Sequence, residues 1–214
     1  MTAFDLSCRR CDRLAQFLDN VRNDYPDYHA APVAAFGVKV PRLLIVGLAP
    51  GMHGANRTGR PFTGDHAGTL LYETLHAYGF ASQAKATSAH DGMELLGCRI
   101  TNAVKCLPPS NKPLGGEVTK CNGYLRTELC QLPSPAVVLA LGAIAHQAVI
   151  KAIGLRQKDH PFGHAAEHAL SDELTLVDSY HCSRYNTQTR RLTPGMFREV
   201  FARVRTLIDG GSRR

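Results

Sequence analysis

Four apolar runs of five to seven residues, each with at most one charged side chain, constrain this chain more than any other feature. They occupy residues 42–48, 98–104, 136–141 and 174–178, and each leads, directly or across a loop, to a stretch with helical periodicity. A strand that is apolar at almost every position is buried on both faces, which is the environment inside a parallel sheet. The intervening helices, expected over residues 67–78, 121–132 and 143–153, then cover the two faces. The chain ends in a further helix: Thr193 is a good N-cap, Pro194 suits the first helical position, and Phe197, Val200, Phe201, Val204, Leu207 and Ile208 share one side. A first helix over 9–23 carries Leu14, Phe17, Leu18 and Val21 in the same way. The pattern predicts an α/β three-layer sandwich: a central, mainly parallel four-stranded sheet flanked by helices, as one domain over residues 1–214.

Such sheets bind ligands in the crevice outside the carboxyl ends of their strands. The unusual polar segments fall there: the glycine-rich stretch from Gly47 to Asp65, Asn102 in the second run, and the loop from His181 to Asn186. The glycine-rich stretch matches neither phosphate-binding pattern, G-x-x-x-x-G-K-[ST] nor G-x-G-x-x-G. It does let backbone approach a ligand closely, and it carries Asn56 and Phe62, residue types that read a base edge and stack on a base face. Asn102 is a buried amide in need of a partner, either backbone or ligand.

No apolar run approaches the ~20 residues that cross a bilayer, and the first residues lack the pattern of an export signal. The expectation is a cytoplasmic protein with no membrane partner. The formal net charge is +7, and from Arg184 onward there are eight arginines, no lysine and two acids. That stretch suits a polyanionic partner, and it equally suits a solvated helix face. Seven cysteines without an export signal argue for metal ligation or burial rather than disulfides. Cys8 and Cys11 form a C-x2-C pair whose spacing fits zinc or an iron–sulfur cluster. His160, His164 and His168 repeat every fourth residue, but Pro161 and Gly163 make a continuous helix improbable there, so the spacing does not define a ligand face.

Two motifs together go further. Gly47-Leu-Ala-Pro-Gly51 followed by Gly54-Ala-Asn-Arg-Thr-Gly-Arg-Pro-Phe-Thr-Gly-Asp65 resembles the uracil-DNA glycosylase superfamily, most closely its fifth family, the type-b enzymes. The loop His181-x-Ser183-x-x-Asn186 matches the second motif of that family, with Cys182 where many relatives have Pro. The resemblance implies an enzyme that flips uracil, and other deaminated bases such as hypoxanthine, out of DNA at the nucleoid and hydrolyses the glycosidic bond as a monomer. It also implies a [4Fe–4S] cluster on Cys8, Cys11, Cys106 and Cys121, the last two being fifteen residues apart.

Roles follow from the resemblance in the same way. His181 would face the uracil O2, Asn102 would read the base edge, Phe62 would stack, and Asn56 would help place water or base. Gly47, Ala49, Gly51 and Asn186 would border the base. Ser183, Arg184, Arg190 and Arg191 would meet the DNA. Superfamily members with a carboxylate in the first motif use it at the position held here by Ala49, and Asp65 lies much further along the chain. Gly51 stands where narrow-specificity relatives carry a bulky aromatic. Two rival classes remain at this stage: a nucleic-acid-binding module with structural metal, and a small iron–sulfur electron carrier. Only the enzyme would leave alkali-labile sites in a uracil-containing duplex.

Overall fold

The computed structural model describes residues 4–210; Met1–Ala3 and the last two arginines of the basic stretch, Arg213 and Arg214, lie outside the described residues. The elements run α1 (Asp12–Asp24), β1 (Phe36–Gly37), β2 (Leu43–Gly47), α2 (Ala55–Thr58), α3 (His66–Ala77), β3 (Cys98–Asn102), α4 (Gly115–Cys130), β4 (Ala136–Leu141), α5 (Ala143–Ile153), β5 (Glu167–Ser171), β6 (Leu174–Ser179), α6 (Arg184–Gln188) and α7 (Pro194–Gly210). The sheet has six strands in the order β1-β3-β2-β4-β6-β5. The four apolar runs form its parallel centre, β3-β2-β4-β6. The expected four-stranded sheet is therefore corrected to six: β1 and β5 add antiparallel edges that carry no continuous apolar signal.

The alternation of side chains along β2 builds the layers. Leu43 and Ile45 pack with Leu71 and Leu75 of α3 and Phe197 and Phe201 of α7, while Leu44 and Val46 pack with Leu125 of α4 and Val149 of α5. All five residues of β2 are buried, as a strand covered on both faces must be. α7 buries Phe197, Val200, Phe201, Val204 and Ile208. Its first turn is held by Thr193, whose Oγ1 accepts from the Met196 N–H at 3.2 Å. α1 packs Leu18 and Val21 against Leu107, with Met52 and Cys106 alongside, so the beginning of the chain rests on the segment that follows β3.

The chain leaves β2 for β3 on one side and returns to β4 on the other. That reversal opens a crevice outside the carboxyl end of β2, where the glycine-rich stretch begins. Gly47 and Asn102 are register partners at the ends of β2 and β3, and the pairing continues past both strands through Ala103 N–H to Gly47 O at 2.9 Å.

Candidate active site

A cleft of roughly 1100 Å³ opens at these strand ends, bordered by Leu48, Ala49, Gly51, Phe62, Asp65, Asn102, His181, Ser183 and Arg184. The three polar segments separated in sequence thus meet in one place. At its floor Gly47 is obligatory. A Cβ there would stand 2.4 Å from Asn102 Oδ1 and 2.7 Å from the Phe62 ring, so the missing side chain is the space those two groups share. Asn102 is 3% exposed, and its Oδ1 is buried without a hydrogen-bond partner. Native interiors rarely leave such an acceptor unpaired unless a ligand satisfies it.

Phe62 is held in an unfavourable conformation. Its φ is 55°, a left-handed value that a large side chain seldom adopts. Three contacts hold the turn around it. Gly68, in the first turn of α3, lets the helix sit on the Phe62 carbonyl, which lies only 1.7 Å from where a Cβ would be. Arg60 is buried and forms a forked pair with Asp91 at 2.8 and 2.7 Å, and its Nε donates to Thr63 Oγ1 at 2.8 Å. Tyr72 OH donates to Pro61 O at 2.8 Å.

His181 follows β6 and stacks towards Phe62 with ring centroids 5.9 Å apart. Burial alone pushes its pKa down to about 4, so the ring is neutral at neutral pH. Its backbone is pinned by Asn186, whose Nδ2 donates to His181 O at 2.8 Å. Ser183 caps α6 by accepting from the Asn186 N–H. Asn186 and Arg191 line an adjoining cavity with Tyr180 and the start of α5 rather than the cleft itself. Arg191 lies over the Tyr180 ring at 4.7 Å, Arg184 borders the cleft, and Arg190 is exposed beyond α6 with φ 56°. Asn56 is wholly buried in the wall beneath the glycine-rich stretch, and both polar atoms of its amide lack a partner.

Sequence distance hid one group. Asp65 lies far along the chain from Gly51, yet its Oδ2 comes within 3.4 Å of a Cβ placed at Gly51. It caps α3, with Oδ1 accepting from the Gly68 N–H at 2.9 Å, and burial raises its pKa. The cleft therefore has a carboxylate although Ala49 does not supply one. The available signal was its position: Asp immediately before a helical stretch is an N-cap, and a cap must fold back over the preceding loop.

Cys8, Cys11, Cys106 and Cys121 come together around a second pocket, walled by Leu14, Ala15, Pro32, Val104 and Tyr124. Burial first, and then the other three thiols, pushes Cys106 up to about 12. Cys121 and Cys11 are also raised, burial again being the main cause. Cys121 Sγ accepts the Lys105 N–H at 3.3 Å. Four converging sulfurs, with burial disfavouring the thiolate at Cys11, Cys106 and Cys121, are a donor set for a cationic group, since bound metal reverses that penalty. The other cysteines stand apart. Cys98 is buried against Phe80 O, Cys182 is buried next to His181, and Cys130 is exposed.

Residues 35–205 match the model of the uracil DNA glycosylase superfamily. The chain is similar to a type-5 uracil-DNA glycosylase of Thermus thermophilus, 44% identical over 94% of each chain. It is likewise similar to one of Mycobacterium bovis, 39% identical over 94% of this chain and 78% of the relative. A third type-5 enzyme, from Pyrobaculum aerophilum, is 38% identical over 93% of this chain and 88% of its own.

Proposed function

The chain belongs to the uracil-DNA glycosylase superfamily, in its type-5 branch, and on that footing we propose that it excises uracil from DNA by hydrolysing the N-glycosidic bond. The observation that carries this reading is the unpaired Asn102 Oδ1, buried against the Phe62 ring at the cleft floor. Uracil presents an acceptor–donor–acceptor edge. An amide whose oxygen takes the central N3–H and whose NH2 donates to the neighbouring carbonyl matches that edge, while cytosine offers a lone pair where the donor is needed. Reaching this depth requires the base to leave the helix.

Cleavage leaves negative charge on the base and positive character on the sugar. Neutral His181 supplies a ring N–H for the base oxygen, held in place by Asn186 beneath it. Asp65 faces the same cleft and serves the cation-like sugar or the attacking water. Asn56, with its unpaired amide in the wall, supports that water or base position. Ser183 and Arg184 at the rim, with Arg190 and Arg191 beyond it, meet backbone phosphates. Gly51 leaves the cleft wide on one side, which favours acceptance of larger deaminated bases such as hypoxanthine.

Cys8, Cys11, Cys106 and Cys121 fit a [4Fe–4S] cluster: four thiols face one apolar-walled pocket, with a backbone N–H at one sulfur. When bound, the cluster ties the beginning of the chain to the segment after β3 and to α4. His181, Asn102, Phe62, Asp65 and Asn56 perform the chemistry.

Incubating the protein with an end-labelled duplex holding one uracil, followed by alkali, tests the activity. Strand scission at that position only after alkali is expected, and an intact strand would refute the reading. Iron and acid-labile sulfide assays on the same preparation test the cluster.

A further inference from the structure

Behind the cleft, on the α4/α5 face of the sheet, three metal-capable side chains from three different elements converge. His146 of α5, His168 of β5 and Asp178 of β6 each bring a ligand atom to within 4.8 Å of the other two. His146 Nδ1 is 2.9 Å from Asp178 Oδ1, and His168 Nε2 is 3.2 Å from Asp178 Oδ2. The Asp178 side chain is fully buried, and those of His146 and His168 are 2% and 10% exposed.

Hydrogen-bond accounting shows why something positive belongs at the centre. His146 Nε2 lies 2.8 Å from His160 O, and a carbonyl only accepts, so Nε2 carries the N–H. In a neutral ring Nδ1 then holds a lone pair aimed at a carboxylate oxygen, acceptor against acceptor. One imidazole nitrogen anchored to a main-chain carbonyl, with the other turned to a carboxylate and a second imidazole, is the arrangement that orients metal-bound histidines. Two imidazoles and one carboxylate form a zinc-class donor set. With metal–ligand bonds of about 2.0–2.2 Å, tetrahedral ligand atoms stand roughly 3.3–3.6 Å apart; the two contacts to the carboxylate, 2.9 and 3.2 Å, lie near that value, and all three ligand atoms lie within 4.8 Å of one another. The half-buried His160 ring lies 5.7 Å from that of His168, at the outer side of the group, where a further donor or an entry path is needed.

We propose that His146, His168 and Asp178 bind one divalent zinc-class ion. The ion joins α5, β5 and β6 just ahead of the segment that leads to His181. The repeat of His160, His164 and His168 is thereby divided. His164 turns away to stack on Tyr180 at 5.0 Å and to accept its backbone N–H, while His168 faces Asp178.

The protein as purified, with its cysteine pocket intact, is dialysed against zinc and then metal-free buffer, and the retained ion is counted. One zinc per chain beyond any held by the cysteines is expected. A cobalt titration should give visible d–d bands without the near-ultraviolet thiolate-to-cobalt band that cysteine ligation produces. Asp178→Asn and His168→Gln should each lose this ion and the zinc-dependent rise in Tm, whereas Cys106→Ser should keep both. Wild-type protein that retains no such ion would overturn the proposal without recourse to any variant, and would leave a proton as the occupant between His146 and Asp178. Equal retention in His168→Gln would overturn it as well.

Discussion

The rings of Phe62 and His181 lie 5.9 Å apart, with their planes 27° from parallel. Two stacking contacts in series need roughly 7–8 Å, twice a carbon–carbon contact distance. A base therefore cannot slide between the two rings; stacked on Phe62, it turns an edge towards the histidine. Under the proposed function, this separation assigns His181 to hydrogen bonding with the leaving base and Phe62 to stacking.

His181→Ala should consequently lower single-turnover excision by on the order of 10²–10³, the usual loss of a preorganised donor. Duplex affinity, set by phosphate contacts, should stay nearly unchanged. Parallel loss of Tm, binding and cleavage would reduce His181 to a structural role.

The pH dependence separates a neutral donor from a charged one. With its pKa pushed down to about 4 by burial, folded His181 stays neutral where an unfolded histidine titrates near 6.5. Excision by the wild type should show no His181 inflection between pH 8 and 5. Over the window from about 6.5 down to about 4 the unfolded chain binds the extra proton, so stability falls as pH falls. His181→Gln should flatten that part of a Tm–pH curve, and an unchanged slope would refute the shift.

Asp65 carries both a helix cap and the cleft's carboxylate, and two substitutions divide them. Asn caps helices as well as Asp does, so Asp65→Asn should leave the unfolding free energy within about 0.5 kcal/mol of wild type while excision drops about tenfold or more. Asp65→Ala should lose excision equally and about 1 kcal/mol of stability in addition. Full activity in Asp65→Asn would remove the carboxylate from the chemistry.

Gly51→Tyr tests the width of the cleft. The added Cβ meets Asp65 Oδ2 at 3.4 Å, an ordinary contact, so the fold should tolerate the change. The ring should then block hypoxanthine more than uracil, seen as a rise in the uracil-to-hypoxanthine ratio of single-turnover rates. Proportional loss on both substrates would defeat the steric argument.

The turn that presents Phe62 depends on Arg60 and Asp91, whose side chains are 5% and 9% exposed. Removing one partner of such a pair costs about 3–5 kcal/mol, so Asp91→Ala should lower the urea midpoint strongly. The Arg60 guanidinium holds the Asp91 carboxyl well below the ordinary carboxylate range. Its stabilisation is therefore complete above about pH 5, where an unfolded aspartate is almost wholly ionised, and is lost as pH falls further. The acid limb of unfolding should be shallower in Asp91→Asn.

The parallel centre was legible because burial on both faces leaves runs such as Leu43–Gly47 and Ala136–Leu141 almost purely apolar. The edges were not, for the same reason inverted. β1 has two residues, and β5 alternates between exposed and half-buried in a sequence, Glu-His-Ala-Leu-Ser, with little strand preference. In the site, Asn102, Phe62 and His181 were readable from their motifs, and the structure brings them into one cleft. Asp65 is hidden by its linear distance from Ala49 and Gly51, which the fold of its cap removes. Asn56 presents the opposite case. Its motif position points to a group that helps place water or base, yet nothing in the motif announces that α2 holds it wholly buried with both amide atoms unpartnered. The convergence of His146, His168 and Asp178 depends on pairing β5 with β6, which no local pattern announces.

Those same edge strands determine how the sheet ends against solvent. An open rim of backbone N–H and C=O groups can recruit a strand from another molecule and begin aggregation. β1 offers only Phe36 and Gly37, too short to template a partner. β5 is interrupted by a bulge between Ala169 and Ser171 and carries exposed Glu167, already engaged with Arg203 at 2.6 Å. Neither rim presents a long, flat, apolar row, so the apolar centre is closed to intermolecular strand addition on both sides.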